Sequence, residues 1–226
     1  DLITWGETLG FDILCAGKSS EYDFIFDRDS GAVVSNGVRV DLPELAQWWS
    51  PGDRSLREVA AGRASVLGTR YPLRAVPDLC EMTLVANATG LAADIAPFHA
   101  PVARIPEVAS LLSDTSRGLL SGARRLDVFH HLRAPDEASF AGGVFITVRC
   151  QDRTSWQVLA EKGHVVSADG ASAMIYLPRH LLGVEAATSI LDVVGLRQSG
   201  YGPDYAPRVD LAAVAEIDRD SRCRAN

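Results

Sequence analysis

No apolar run in these 226 residues approaches the ~18 needed for a membrane-spanning helix, which argues against that class of protein. No secretory signal is expected either. Lysine and arginine never gather into a run, and 22 basic against 29 acidic residues leave a net charge of −7. A phosphate backbone would find no electrostatic footprint here, so nucleic acid is not an expected partner. The four cysteines, Cys15, Cys80, Cys150 and Cys223, lie far apart and form no C-x-x-C pair. That spacing argues against a zinc site or a disulfide framework, and predicts a reduced, cytoplasmic setting with no metal. Nowhere does a strand lead through G-x-G-x-x-G into a helix. Ala16-Gly17-Lys18-Ser19-Ser20 lacks that spacing, and Ala141-Gly142-Gly143 runs into a strand. The dinucleotide fingerprint is missing. Internal repeats and low-complexity tracts are missing too.

What is present is ordinary for a globular chain with a real core: 47% hydrophobic and 23% charged residues. The first residue is Asp1 rather than Met, inside a stretch that reads as amphipathic, so processing or a missing N-terminal part is expected. Strands are predicted at 11–16, 22–26, 126–132 and 143–150, the last a β-branched run. Asn36-Gly37, between 32–35 and 38–41, is the best hairpin signal in the chain. Asp169-Gly170, between 164–167 and 173–177, marks a second hairpin. Helices are predicted at 43–49, 55–67, 107–112, 154–161 and 179–194, the last closed by Gly195. Another is expected to start at an Asp78 N-cap, with Glu81 as its capping-box partner, and to stop at Gly90 after Thr89. Pro97, Pro101 and Pro106 suggest a surface crossing, and 209–217 a final strand. Two hairpins with helices interspersed among strands predict an α+β fold: a mixed, largely antiparallel sheet packed with helices, without a complete Rossmann domain.

Several residues carry chemistry beyond packing. Glu81 lies among small and apolar neighbours, so its helix is expected to be buried on most sides. A carboxylate there either completes the capping box or is paired for a task. Asn87 lies about 120° around the helix from Glu81, positioned either for a loop contact or for a ligand. Glu185 stands in Leu181-Leu182-Gly183-Val184-Glu185-Ala186-Ala187 with no other charge nearby, which predicts a core helix whose acid needs a cation or a role. His180 and Arg179 sit near the start of that helix. Lys18 follows an apolar strand and a glycine, and so emerges at a strand end, where a lysine is either solvated or clamps an oxyanion. His130 and His131 are neighbours in a strand, point to opposite faces and cannot share one metal. Trp48-Trp49 reads as core and edge packing rather than a stacking platform.

In order along the chain, Ala16-Gly17-Lys18, Cys80-Glu81-Met82, Val85-Ala86-Asn87-Ala88-Thr89-Gly90-Leu91, Gly142-Gly143-Val144-Phe145 and Tyr176-Leu177-Pro178-Arg179-His180-Leu181-Leu182-Gly183-Val184-Glu185 form a recognisable set. Together they resemble the homoserine-dehydrogenase-like, NAD(P)-dependent oxidoreductases that include the 1-deoxy-D-xylulose 5-phosphate reductoisomerase-like enzymes. The resemblance implies a Rossmann domain, a middle catalytic and dimerisation domain and a C-terminal SAF domain, of which this chain matches the middle. It divides the sequence into 1–20 as a passage from the nucleotide domain, 21–208 as the catalytic domain, and 209–226 as a terminal strand and tail. It further implies NAD(P), a small hydroxy or keto (sugar-like) substrate and a homodimer. By the same resemblance Lys18, Glu81 and Glu185 are catalytic, and Asn87 and His180 bind substrate. Two departures stand out: Ser19-Ser20-Glu21-Tyr22 where many relatives carry a second lysine, and Pro178-Arg179-His180 where many read Pro-Tyr-His. Two other readings fit the residues. One is a cofactor-free isomerase, cyclase or lyase using the same Lys/Glu set; the other is a non-catalytic binding or dimerisation module.

Overall fold

A computed structural model describes residues 2–73, 76–179 and 182–197, with the side chains of 76–78 and 182–185 outside that description. In chain order the elements are α1 (Leu2–Thr8), β1 (Ile13–Ser19), β2 (Phe24–Asp27), β3 (Ala32–Ser35) and β4 (Val38–Asp41). A 3-10 turn (Pro43–Trp48), α2 (Leu56–Leu67), α3 (Val76–Thr89), β5 (Ala92–Ala93), β6 (Val102–Ala103) and α4 (Ile105–Leu111) follow. The rest are β7 (Arg125–Arg133), β8 (Val144–Arg149), α5 (Arg153–Glu161), β9 (Val165–Val166), β10 (Ser172–Leu177), α6 (Leu182–Leu191) and a π turn (Asp192–Leu196).

The strands form one mixed sheet in the order β4-β3-β2-β7-β1-β8-β10-β9, with β5 and β6 also paired to β7. The fold is α+β, as expected. β1 lies at its centre, parallel to β7 on one side and antiparallel to β8 on the other. On one face Ile3 of α1, Met82 and Ala86 of α3 and Trp156 of α5 pack with Ala16, Val128 and Ile146. On the other face Ala60 of α2 and Val108 and Leu111 of α4 meet Cys15, Phe129 and Phe145. A third cluster, around Phe26, Leu45, Trp49 and Leu67, fills the space beneath the β2–β4 meander.

Local signals produced the expected elements where backbone physics is self-contained. The β3–β4 hairpin turns at Asn36 and Gly37 with φ of 47° and 73°, the left-handed pair that a two-residue loop requires. α2 is closed by a capping box: Ser55 Oγ accepts from the Glu58 amide, and the Glu58 carboxylate accepts from the Ser55 amide at 2.8 Å. α3 stops after Thr89, with Gly90 at φ 69°. Trp49 is core and Trp48 partly buried, with the Arg54 guanidinium 4.5 Å above the Trp48 ring.

Four expectations are corrected. α3 begins at Val76, so Asp78 lies inside its first turn and Glu81 is no capping partner. Pro77 does not prevent the earlier start, because a first-turn residue has no helical partner for its N–H in any case. Nor is α3 buried on most sides: Met82 and Ala86 face the sheet, while Cys80, Glu81 and Leu84 are exposed. The stretch from Pro97 to Pro106 is a surface crossing only in part: residues 95–97 and Pro106 are exposed, whereas Phe98 and residues 101–103 are buried. Val102 and Ala103 are fully buried beside His130 and His131, and the Asp127 carboxylate accepts from the His99 and Ala100 amides at 3.1 and 3.0 Å. Finally, α6 ends at Leu191 and passes into the π turn, and residues 186–191 are exposed, so its second half is not a core helix. The strand expected at 209–217 lies outside the described residues.

Candidate functional site

The site is built at the end of β1. Gly17 is there for lack of room: a Cβ would stand 1.7 Å from the carbonyl oxygen of Asp127 on β7. The next residue, Lys18, is flanked by Val128 and Val144 in the neighbouring strands. Beyond the strand the backbone is pinned. Ser19 donates to Gly143 O at 2.9 Å, Ser20 to Phe129 O at 2.9 Å, and Gly142 returns a bond to Ser20 O at 3.2 Å. This turn brings Glu21 back over the strand end.

Among the described residues, two carboxylates flank the buried ammonium. Lys18 Nζ donates to Glu21 Oε1 at 2.6 Å and to Glu81 Oε2 at 2.5 Å. The Lys18 side chain is 3% exposed, whereas Glu21 and Glu81 are 46% and 55% exposed. The cation therefore comes from beneath and the acids face outward, an arrangement able to donate to an oxygen and pass a proton to solvent-facing carboxylates. A buried cation persists only when paired, and these acids supply the pairing. A lysine at a site is the more pointed because Lys162 is the only other one among the 22 basic residues.

Of the residues singled out from the sequence, the fold joins Lys18 and Glu81, 63 positions apart. Asn87 is partly buried and stands about 9 Å further along α3 at 1.5 Å per residue. His180 and the side chain of Glu185 lie outside the described residues. The row of residues running from Lys18 across Val144 nevertheless continues to Leu177, so β10 delivers its chain end at the level of the site. Glu21 escaped the sequence reading, since a glutamate in a polar turn gives no sign of folding back on a lysine.

A second polar cluster lies alongside. Asp23 receives His131 Nδ1 at 3.0 Å and Arg133 Nε at 2.7 Å. Burial alone would raise the Asp23 carboxyl, but hydrogen bonds from His131, Ser139 and Arg133 outweigh it and bring it down to about 2. Ser139 reaches the carboxylate rather than the imidazole, so this is no nucleophile–base–acid triad. His130, on the opposite face of β7, is pushed down to about 4 by burial.

A family model described as "Oxidoreductase DRL, catalytic domain" matches residues 76–186, from the first turn of α3 into α6. No curated protein matches the chain. Glu81 and Asn87 fall within the matched span, while Lys18 and Glu21 precede it and reach it through β1. Over 76–186 this chain is similar to an oxidoreductase catalytic domain, and Lys18 and Glu21 complete the polar centre at its α3 edge.

Proposed function

We propose that this chain is the catalytic part of an NAD(P)-dependent oxidoreductase of the homoserine-dehydrogenase-like, reductoisomerase-like group, acting on a small hydroxy or keto substrate. The observation that carries the reading is the buried Lys18 ammonium held by Glu21 and Glu81 at the end of the central strand. Lys18 donates a hydrogen bond to the substrate oxygen and stabilises negative charge developing there. Glu81, hydrogen-bonded to the same ammonium and open to solvent, takes up or returns the hydroxyl proton. With Lys18 engaged by two acceptors, its role is that of a donor rather than an imine-forming nucleophile. Asn87 and His180 orient the substrate, and Glu185 is the second candidate for the proton. A nicotinamide, when bound, would supply hydride acceptance or donation. The described residues do not fit its pyrophosphate: β1 leads through the Ser20–Asp23 turn into β2, not into a helix N-terminus.

The test is nicotinamide absorbance in the full-length protein, over a panel of small ketoses, keto acids and hydroxy acids. Lys18→Met is expected to lower turnover by about 10²-fold, with a melting temperature close to that of the parent because both carboxylates regain water. Glu81→Gln is expected to lower turnover by a similar factor. An unchanged rate in Lys18→Met overturns the reading. Substrate conversion at full rate without any nicotinamide would favour the cofactor-free isomerase or lyase instead, which the Lys18–Glu81 pair could serve by proton transfer alone.

A further inference from the structure

Beside the Lys18 centre lies an open cavity of about 350 Å³, at the small end of the ~300–1,000 Å³ typical of small-molecule sites. Glu21 belongs to both: one carboxylate oxygen accepts from Lys18, and the residue lines the cavity. Asp23, Ser35, Asn36 and Ser139 supply the other polar lining groups, and Ile25 and Val34 contribute apolar wall. Among the described residues no lysine or arginine lines it. Phosphate and carboxylate groups, which require cations or a cradle of amide donors, are thus disfavoured. A free cation is disfavoured for a different reason. Glu21 already holds the Lys18 ammonium, which it shares with Glu81, and Asp23 holds the Arg133 guanidinium; a further cation would lie against both, while the acids keep unused lone pairs. Groups that donate a hydrogen bond without bringing charge fit best.

We propose that this cavity is a subsite for the uncharged, hydroxyl-rich part of the ligand whose reacting oxygen meets Lys18. The assignment rests on the function proposed above and narrows its substrate class to polyols and sugars whose distal end is not phosphorylated. Hydroxyls donate to Glu21 and Asp23 and exchange bonds with Ser35, Asn36 and Ser139, while the carbon skeleton lies on Ile25 and Val34.

The experiment is an amide chemical-shift titration of the protein with xylitol, inorganic phosphate and putrescine in separate series. Xylitol is expected to give saturable shifts at Ser35, Asn36, Gly37 and Ser139, and the other two probes none. Ser139→Val is expected to weaken xylitol by about tenfold, the loss of one hydrogen bond. Asn36→Gly preserves the left-handed turn at that position and is expected to weaken xylitol similarly, which guards against a folding defect in the first variant. Absence of saturation by xylitol, equal or tighter binding of phosphate or putrescine, or parental affinity in both variants overturns the proposal. The titration involves no nicotinamide and no turnover. Its failure leaves the Lys18 assay standing, and an unchanged rate in Lys18→Met leaves the titration readable.

Discussion

Replacing Arg63 with Met is expected to cost about 3–5 kcal/mol of stability, the penalty for stripping one partner from a buried ion pair. Arg63 is completely buried within α2, and its guanidinium is fully used. Nη1 and Nη2 clasp the two oxygens of Glu107, the second at 2.9 Å. Nε donates to Trp48 O and Nη2 to Trp49 O, both at 2.8 Å. Methionine would leave a carboxylate and three carbonyls, those of Trp48, Trp49 and Val102, in a low-dielectric space with their donors gone. Lys is no substitute, since a single ammonium cannot reproduce the planar fork. Glu107 also accepts from the Arg104 amide at 2.8 Å at the start of α4, so the damage spreads to that helix. The urea midpoint of Arg63→Met checks this. The Arg63→Met, Glu107→Met double variant should recover a large part of the loss, because the unpaired charge has been removed as well. A double variant as unstable as the sum of the singles would contradict this account.

Acid should destabilise the protein in two steps, the first set by His130. Its ring is buried, meets Phe24 edge-on at 6.0 Å, and has no hydrogen-bond partner for Nε2 among the described residues. The folded state holds it neutral down to about 4, whereas an unfolded chain protonates it below its ordinary value of 6.5. Unfolded molecules therefore bind more protons throughout that window, and stability falls as pH falls from 6.5 to 4. The full loss is about 3 kcal/mol at 1.36 kcal/mol per pH unit. Asp23 acts lower. Its depressed carboxyl contributes stability that is present above 3.8 and lost between 3.8 and about 2. Denaturant midpoints from pH 7.5 to 4.5 test the first step. His130→Phe should flatten the curve in that range and, with no buried orphan nitrogen, should be no less stable than the parent at pH 7.5. An equally steep decline in His130→Phe would place the titrating group elsewhere.

The difference between Glu81 as expected and Glu81 as found shows where reading from sequence runs out. Asp78 and Glu81 have capping-box spacing, and the local rule assigned them to each other. The helix starts two residues earlier, and the glutamate is turned to a lysine on the central strand. The neighbours of Glu81 in sequence are small and apolar, but the sheet covers only the stripe containing Met82 and Ala86. Composition along a helix measures how much can be buried, not how much a neighbour covers. α6 gives the same lesson at Ala186, Ala187, Ile190 and Leu191, apolar in sequence yet exposed.

By itself, the sequence determined what short-range backbone physics decides: the Asn36-Gly37 hairpin, the Ser55–Glu58 cap, the stop at Gly90, opposite faces for His130 and His131, and an α+β class. In each case the deciding atoms lie within a few residues of one another, and the turn or cap forms whatever surrounds it. The likeness of residues 76–186 to an oxidoreductase catalytic domain was legible at the same coarse level, through motifs in order. Only the tertiary structure decided that Glu21 and Glu81 share Lys18, that Asp23 meets an arginine 110 positions away, and that Arg63 neutralises Glu107 across 44. Charge pairing acts through space, and its partners are set by strand order and register, which no spacing along the chain encodes.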